Sequence, residues 1–249
     1  MAATEPGART SPGPGESELV VGLTDLAVGI VAAAQTRSTL ATRTPRGRSG
    51  RRARELRRGF TAFFGAVAVA SFAGAVLHGL FPDRADARRR PLWRLSLGAI
   101  GASAAAGVDV AAALAMPPRM ARGARAAAGA VLVGWFGVLA VSLPPYRAVV
   151  ALTVPSIAVL APALASRLRV ARERNGALLG LGGLGLTVGA SVVQVGGIGL
   201  GRRFGRNALY HIVQATALVV LGRAAAAFGR SATEFGRAAT EFGRAADEG

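Results

Sequence analysis

The sequence predicts an all-α, polytopic transmembrane helix bundle of about seven spans, N-terminus out and C-terminus in. Three observations predict it: seven long apolar runs, a 51% hydrophobic composition with mean hydropathy +0.40, and thirty basic residues gathered at the run ends. A hydrocarbon core about 30 Å thick needs roughly 20 apolar residues in helical form, because each backbone polar group must be satisfied within its own segment.

The runs fall at about 19–35, 59–81, 92–116, 126–143, 147–166, 176–200 and 207–227. The first contains Asp25, and Ala32, Ala33 and Ala34 resemble a signal-cleavage site. Its leader nevertheless carries Glu5, Glu16 and Glu18 against Arg9 alone, where a signal peptide begins with positive charge, so the run reads as a retained span. The second, GFTAFFGAVAVASFAGAVLHGLF, has one imidazole and no formal charge. The fourth and fifth are separated by Pro144 and Pro145, which predicts a tight helical hairpin. Pro155 and Pro162 kink the fifth. The sixth is rich in glycine, with small-xxx-small pairs at Gly176/Gly180 and Gly185/Gly189 suited to close helix packing and compatible with a homo-oligomer.

Residues 1–17 read as a disordered leader, 18–228 as the membrane domain with an arginine-rich linker at 36–58, and 229–249 as a low-complexity tail. That tail repeats every seven residues from Phe228, Phe235 and Phe242, as a solvated segment or an interfacial helix. The 36–58 linker holds nine arginines, which places it in the cytoplasm of a multi-pass inner (plasma) membrane protein.

All thirty basic residues are arginine, and cysteine is absent. Lysine Schiff bases, a Walker lysine, disulfides and thiolate ligands are thereby excluded. The net charge of +17 reads as attraction to anionic lipid headgroups, not nucleic acid, because no stacking aromatics are interleaved with the arginines.

Polar groups inside lipid are costly and call for an account. At 1.5 Å per residue, Asp25, His78, Gln194 and His211 come to one level, about 5–10 Å below the outer face. Asn207, Tyr210, His211 and Gln214 follow i, i+3, i+4, i+7 spacing and share a helix face, as do Ser71, Gly74, Ala75 and His78. Arg94 is placed to pair with Asp25 or with a lipid headgroup. Asp109, nearer the cytoplasm, is expected to meet Arg119 or Arg122. The candidate ligand-binding set is therefore Asp25, His78, Arg94, Gln194, Asn207, Tyr210, His211 and Gln214 in an outward-facing pocket of helices 1, 2, 6 and 7. The plain alternative is a set of interhelical hydrogen bonds. The chemistry open to the set is metal ligation by neutral imidazoles or proton-linked ligand binding by His and Asp.

Seven spans, a His late in the second and Asn-x-x-Tyr-His-x-x-Gln opening the seventh resemble an uncharacterised group of bacterial seven-helix membrane proteins. More distantly, the layout is similar to the alkaline ceramidase and progestin/adipoQ receptor superfamily. That resemblance implies zinc held by His78 and His211, and a zinc-dependent intramembrane lipid amide hydrolase. The pattern departs in three places. Ala215 stands where a second seventh-helix histidine belongs, and Gly74 where a serine precedes the second-helix histidine. Asp109 lies too deep to stand in for the third-helix aspartate, a position Asp25 could reach from another helix. A small-molecule transporter or receptor, and a purely structural protein, are the competing classes.

Overall fold

The computed structural model describes residues 17–42, 44, 50–83, 85–201 and 204–247, with side chains 146–147 and 235–247 excepted. Seven helices long and apolar enough to cross a membrane follow one another among them, and no strand occurs. They are α1 (Glu18–Ala41), α2 (Gly50–Leu80), α3 (Arg89–Ala115), α4 (Pro118–Val141), α5 (Tyr146–Arg167), α6 (Arg174–Gly196) and α7 (Arg206–Asp247), with a single 3-10 turn at Ala171–Glu173 before α6. The protein is a multi-pass membrane helix bundle.

Each helix ends where the chemistry requires. Gly197, in the left-handed conformation at φ 70°, stops α6, and the Ile198 N–H donates back to the Val193 carbonyl. At the end of α2, the Arg89 guanidinium donates to the carbonyls of Leu77 and Phe81. Pro155 and Pro162 lie within α5, and the helix continues through both.

Six helices close a ring in the order α1, α2, α3, α5, α6, α7, and α4 lies outside it against α3. Small residues set the approach. Gly22 of α1 faces the backbone of Ala75 and Gly79 on α2, so a Cβ there would stand 3.0 Å from a backbone nitrogen. On the outer helix, Trp135 and Phe136 fill notches over Gly101 and Gly98, and Trp135 Nε1–H donates to the Leu97 carbonyl at 3.0 Å. The predicted hairpin of the fourth and fifth spans has a short connection, yet both helices pack on α3 with little direct packing between them.

The two ends of the ring differ. Toward the Arg52 end, Phe60, Phe64, Val110, Leu114, Leu164, Leu218 and Leu221 fill the interior. Beyond them lies an ionic layer. Arg52 binds Glu173 with two hydrogen bonds, 2.8 and 3.0 Å, and donates to the Ala113 and Leu114 carbonyls that α3 leaves open at its end. Arg125 of α4 bridges Asp109 (2.5 Å) and Glu55 (3.0 Å), and Arg58 of α2 adds a second cation at 3.2 Å from Asp109. The expected Asp109 partners, Arg119 and Arg122, are thus corrected. α3 and α4 run antiparallel about a turn at 116–117, so the α4 residue level with Asp109 is Arg125, about two turns in.

The arginine-rich 36–58 segment is mostly helix: α1 runs on to Ala41 and α2 starts at Gly50. The tail from 229 likewise continues α7 to Asp247. Ser231 ties it to the 3-10 turn by donating to the Arg172 carbonyl at 2.6 Å. The 1–16 leader, Arg202 and Arg203, and the side chains of Phe235 and Phe242 lie outside the described residues.

Candidate functional site

At the His78 end the ring encloses a cavity of about 800 Å³. That is within the roughly 300–1,000 Å³ of small-molecule sites. Its walls come from all six ring helices, and it runs from Glu18, His78 and Arg90 at the mouth down to Phe60, Val110 and Leu221. Asp25, His78, Gln194, Asn207, Tyr210, His211 and Gln214 all line it. Arg94 does not. The cavity face of α3 carries Arg89, Trp93, Ser96, Ile100 and Ser103, and Arg94, one residue and about 100° round from Trp93, is exposed on the outside. The expected Arg94–Asp25 pair is therefore not formed.

Asp25 instead meets His211, with Oδ1 3.3 Å from Nε2; the residues are 9% and 8% exposed. The other imidazole nitrogen, Nδ1, is 2.9 Å from Thr24 Oγ1. That hydroxyl also lies 3.0 and 2.9 Å from the carbonyls of Val20 and Val21, and when it gives its hydrogen to either it accepts from Nδ1–H. In that arrangement Nε2 faces the carboxylate, and one proton between them, on the acid or on the ring, satisfies both. Either the neutral acid donates to Nε2 or the imidazolium donates to Oδ1; without that proton two acceptors would oppose each other.

The second carboxyl oxygen, Asp25 Oδ2, sits over Gly74. A Cβ at that glycine would stand 2.2 Å from it. A carboxylate from another helix thus occupies the space beside Gly74.

His78 has its own acid: Nδ1 is 2.5 Å from Glu18 Oε2, both residues partly buried. Glu18 lies outside the candidate set because in sequence it adjoins the acidic leader. The signal was present, since Glu18 precedes Asp25 by seven residues, two turns on the same face as Val21 and Val28. A third polar pair is Gln194 and Asn207, where Nε2 donates to Oδ1 at 2.7 Å and leaves Gln194 Oε1 buried with no hydrogen-bond partner. The Tyr210 ring packs edge-on against His211, 5.2 Å between centroids. Gln214 is buried one turn below.

At the mouth, Asp86 accepts from the Arg88 side chain (2.7 Å) and backbone N–H (2.9 Å). The hydrogen bond from the Arg88 guanidinium, then that from its backbone, hold the Asp86 carboxyl below the usual carboxylate range.

Zinc, implied by the distant resemblance, does not fit these donors. The two histidines line one cavity, but each is engaged by a different carboxylate of α1. Among the described residues, no group of three or more His, Cys, Asp or Glu is placed to hold a metal ion. His78 and His211 sit in two separate acid–imidazole pairs, with Glu18 and Asp25.

No curated protein and no solved structure matches the chain significantly. A family model does, across residues 20–230, which takes in every cavity-lining helix. The chain belongs to the family of unknown function DUF6962.

Proposed function

We infer that this protein binds a small molecule inside the membrane, in the cavity at its His78 end, with the Asp25–His211 pair as a proton-bearing element of the site. The observation that carries the reading is a buried acid–imidazole pair on the wall of a ligand-sized chamber. Carboxylates and imidazoles are expensive in a lipid-embedded bundle, and those present in such bundles commonly mark ligand or proton paths. The filled interior and ionic layer at the Arg52 end support a chamber open at one side over a pore. Arginine crowding supports a cytoplasmic closed end, beside anionic headgroups, with the mouth outside.

Because the chain has no cysteine, single cysteines can be introduced without removing others. Ser71→Cys and Ala104→Cys line the cavity, whereas Val131 of α4 is exposed on the bundle exterior. In oriented membranes, a water-soluble maleimide added outside should label the first two and leave Val131→Cys unreacted. Failure to label either cavity position, or labelling only from the cytoplasmic side, overturns the reading.

A further inference from the structure

The cavity wall offers a series of hydrogen-bond acceptors. Of the seven serine and threonine hydroxyls that line it, four give their hydrogen to their own helix: Ser103 to the Ile100 carbonyl (2.7 Å), Thr153 to Val150 (2.9 Å), Thr187 to Gly183 (3.0 Å) and Ser191 to Thr187 (3.1 Å). A serine or threonine bonded in this way keeps two oxygen lone pairs for another group. To these the cavity adds Gln194 Oε1, which is buried without a donor, and the Asp25 carboxyl. A buried acceptor left without a donor costs about 1–3 kcal/mol, so such a wall selects a guest rich in N–H.

We propose that the ligand of this cavity is an organic cation with N–H donors, an alkyl- or arylammonium, which settles against Asp25 as the proton of the Asp25–His211 pair leaves for solvent. The inference rests on the cavity being a binding site. Charge balance gives the exchange its logic. An ionised carboxylate in this setting needs a counter-charge or a proton, and the arriving ammonium supplies the first and releases the second.

The other charged and titratable groups facing the pair leave room for that cation. Glu18 on α1 is held by His78 of α2, and Asp86 in the connection before α3 is held by Arg88. Arg89 of α3 turns its guanidinium toward the Leu77 and Phe81 carbonyls, and Arg90 stands exposed at the rim. Tyr210 is the neighbour on α7, and the cavity residues of α5 and α6 are uncharged. Below the pair, Phe63, Val67, Ile157, Leu160 and Leu184 suit the apolar body of such an amine.

The test compares phenethylamine, 2-phenylethanol and phenylacetate, which share a ring and differ in head group, on the full chain in lipid nanodiscs. Protection of Ala104→Cys from maleimide reports occupancy, and calorimetry in two buffers of different ionisation enthalpy reports proton release. Phenethylamine alone should protect, releasing protons as it binds. Asp25→Asn, isosteric and still able to bond His211, should weaken binding by at least about tenfold and abolish the release. Equal or better protection by the alcohol or the acid, amine binding without proton release, or no protection by any of the three overturns the cation assignment. Where the cysteine labels freely and the amine fails to protect, only the ligand class falls. Where the cysteine never labels, the cavity reading falls with it.

Discussion

His211 Nε2 and Asp25 Oδ1 face each other across 3.3 Å, and Thr24, one residue before Asp25, takes the other imidazole nitrogen. Two adjacent residues of α1 thereby fix the orientation of a ring carried on α7. Removing the ring leaves a buried carboxyl with no partner. His211→Ala is expected to lower stability by about 1–3 kcal/mol. Asp25→Asn, which keeps a donor toward Nε2, should cost less. Thermal unfolding of the purified variants in one detergent checks the order, and an equal loss for both would show that the pair contributes nothing specific.

Gly74 is the seat of that carboxyl. Gly74→Ser would put its Cβ 2.2 Å from Asp25 Oδ2, between two helices already held close by Gly22. Overpacking of this kind costs about 1–3 kcal/mol, and the acid must leave its place beside His211. The variant should therefore lose ligand-linked proton release as well as stability. Wild-type proton release from Gly74→Ser would show that Asp25 occupies another position.

At the opposite end, Glu173 is 6% exposed and depends on Arg52, since Arg167 stands off at 3.8 Å. Arg52→Ala should destabilise by about 1.5–3 kcal/mol, the range for hydrogen bonds to charged groups. Arg52→Lys should recover only part, because one ammonium cannot serve two carboxylate oxygens and two carbonyls in that fork. Full recovery by lysine would reduce the contact to simple charge attraction. Denaturation midpoints of the two variants decide it.

The rim pair gives a pH prediction. Its hydrogen bonds to Arg88 depress the Asp86 carboxyl, so its contribution is complete above the ordinary aspartate range near 4 and is lost as pH falls through the lowered value. Between about pH 5 and 8 this pair is constant. Arg88→Ala should consequently leave the shape of any pH profile of ligand binding in that window unchanged. A displaced profile would place the controlling proton at the mouth instead of at Asp25.

The helix count, the approximate limits of the spans and the polar face of α7 follow from the sequence because they are local. Hydropathy over 20 residues and a 3.6-residue period need no knowledge of neighbours. Asn207, Tyr210, His211 and Gln214 could be placed together for that reason, and Glu18 was within reach of the same rule applied seven residues before Asp25. Pairings between helices are of another kind. That Asp25 meets His211 and not Arg94, that Asp109 meets Arg58 and Arg125, and that α4 stands outside the ring all depend on how each helix is rotated and which neighbour it meets. Those choices are settled by glycine notches filled from partner helices far away in the chain. Gly74 receives Asp25, Gly101 receives Trp135 and Gly107 receives Ser156. A notch gives no sign in its own segment of what will fill it, so the composition of the site could be read from the chain, while its partnerships arose only on packing.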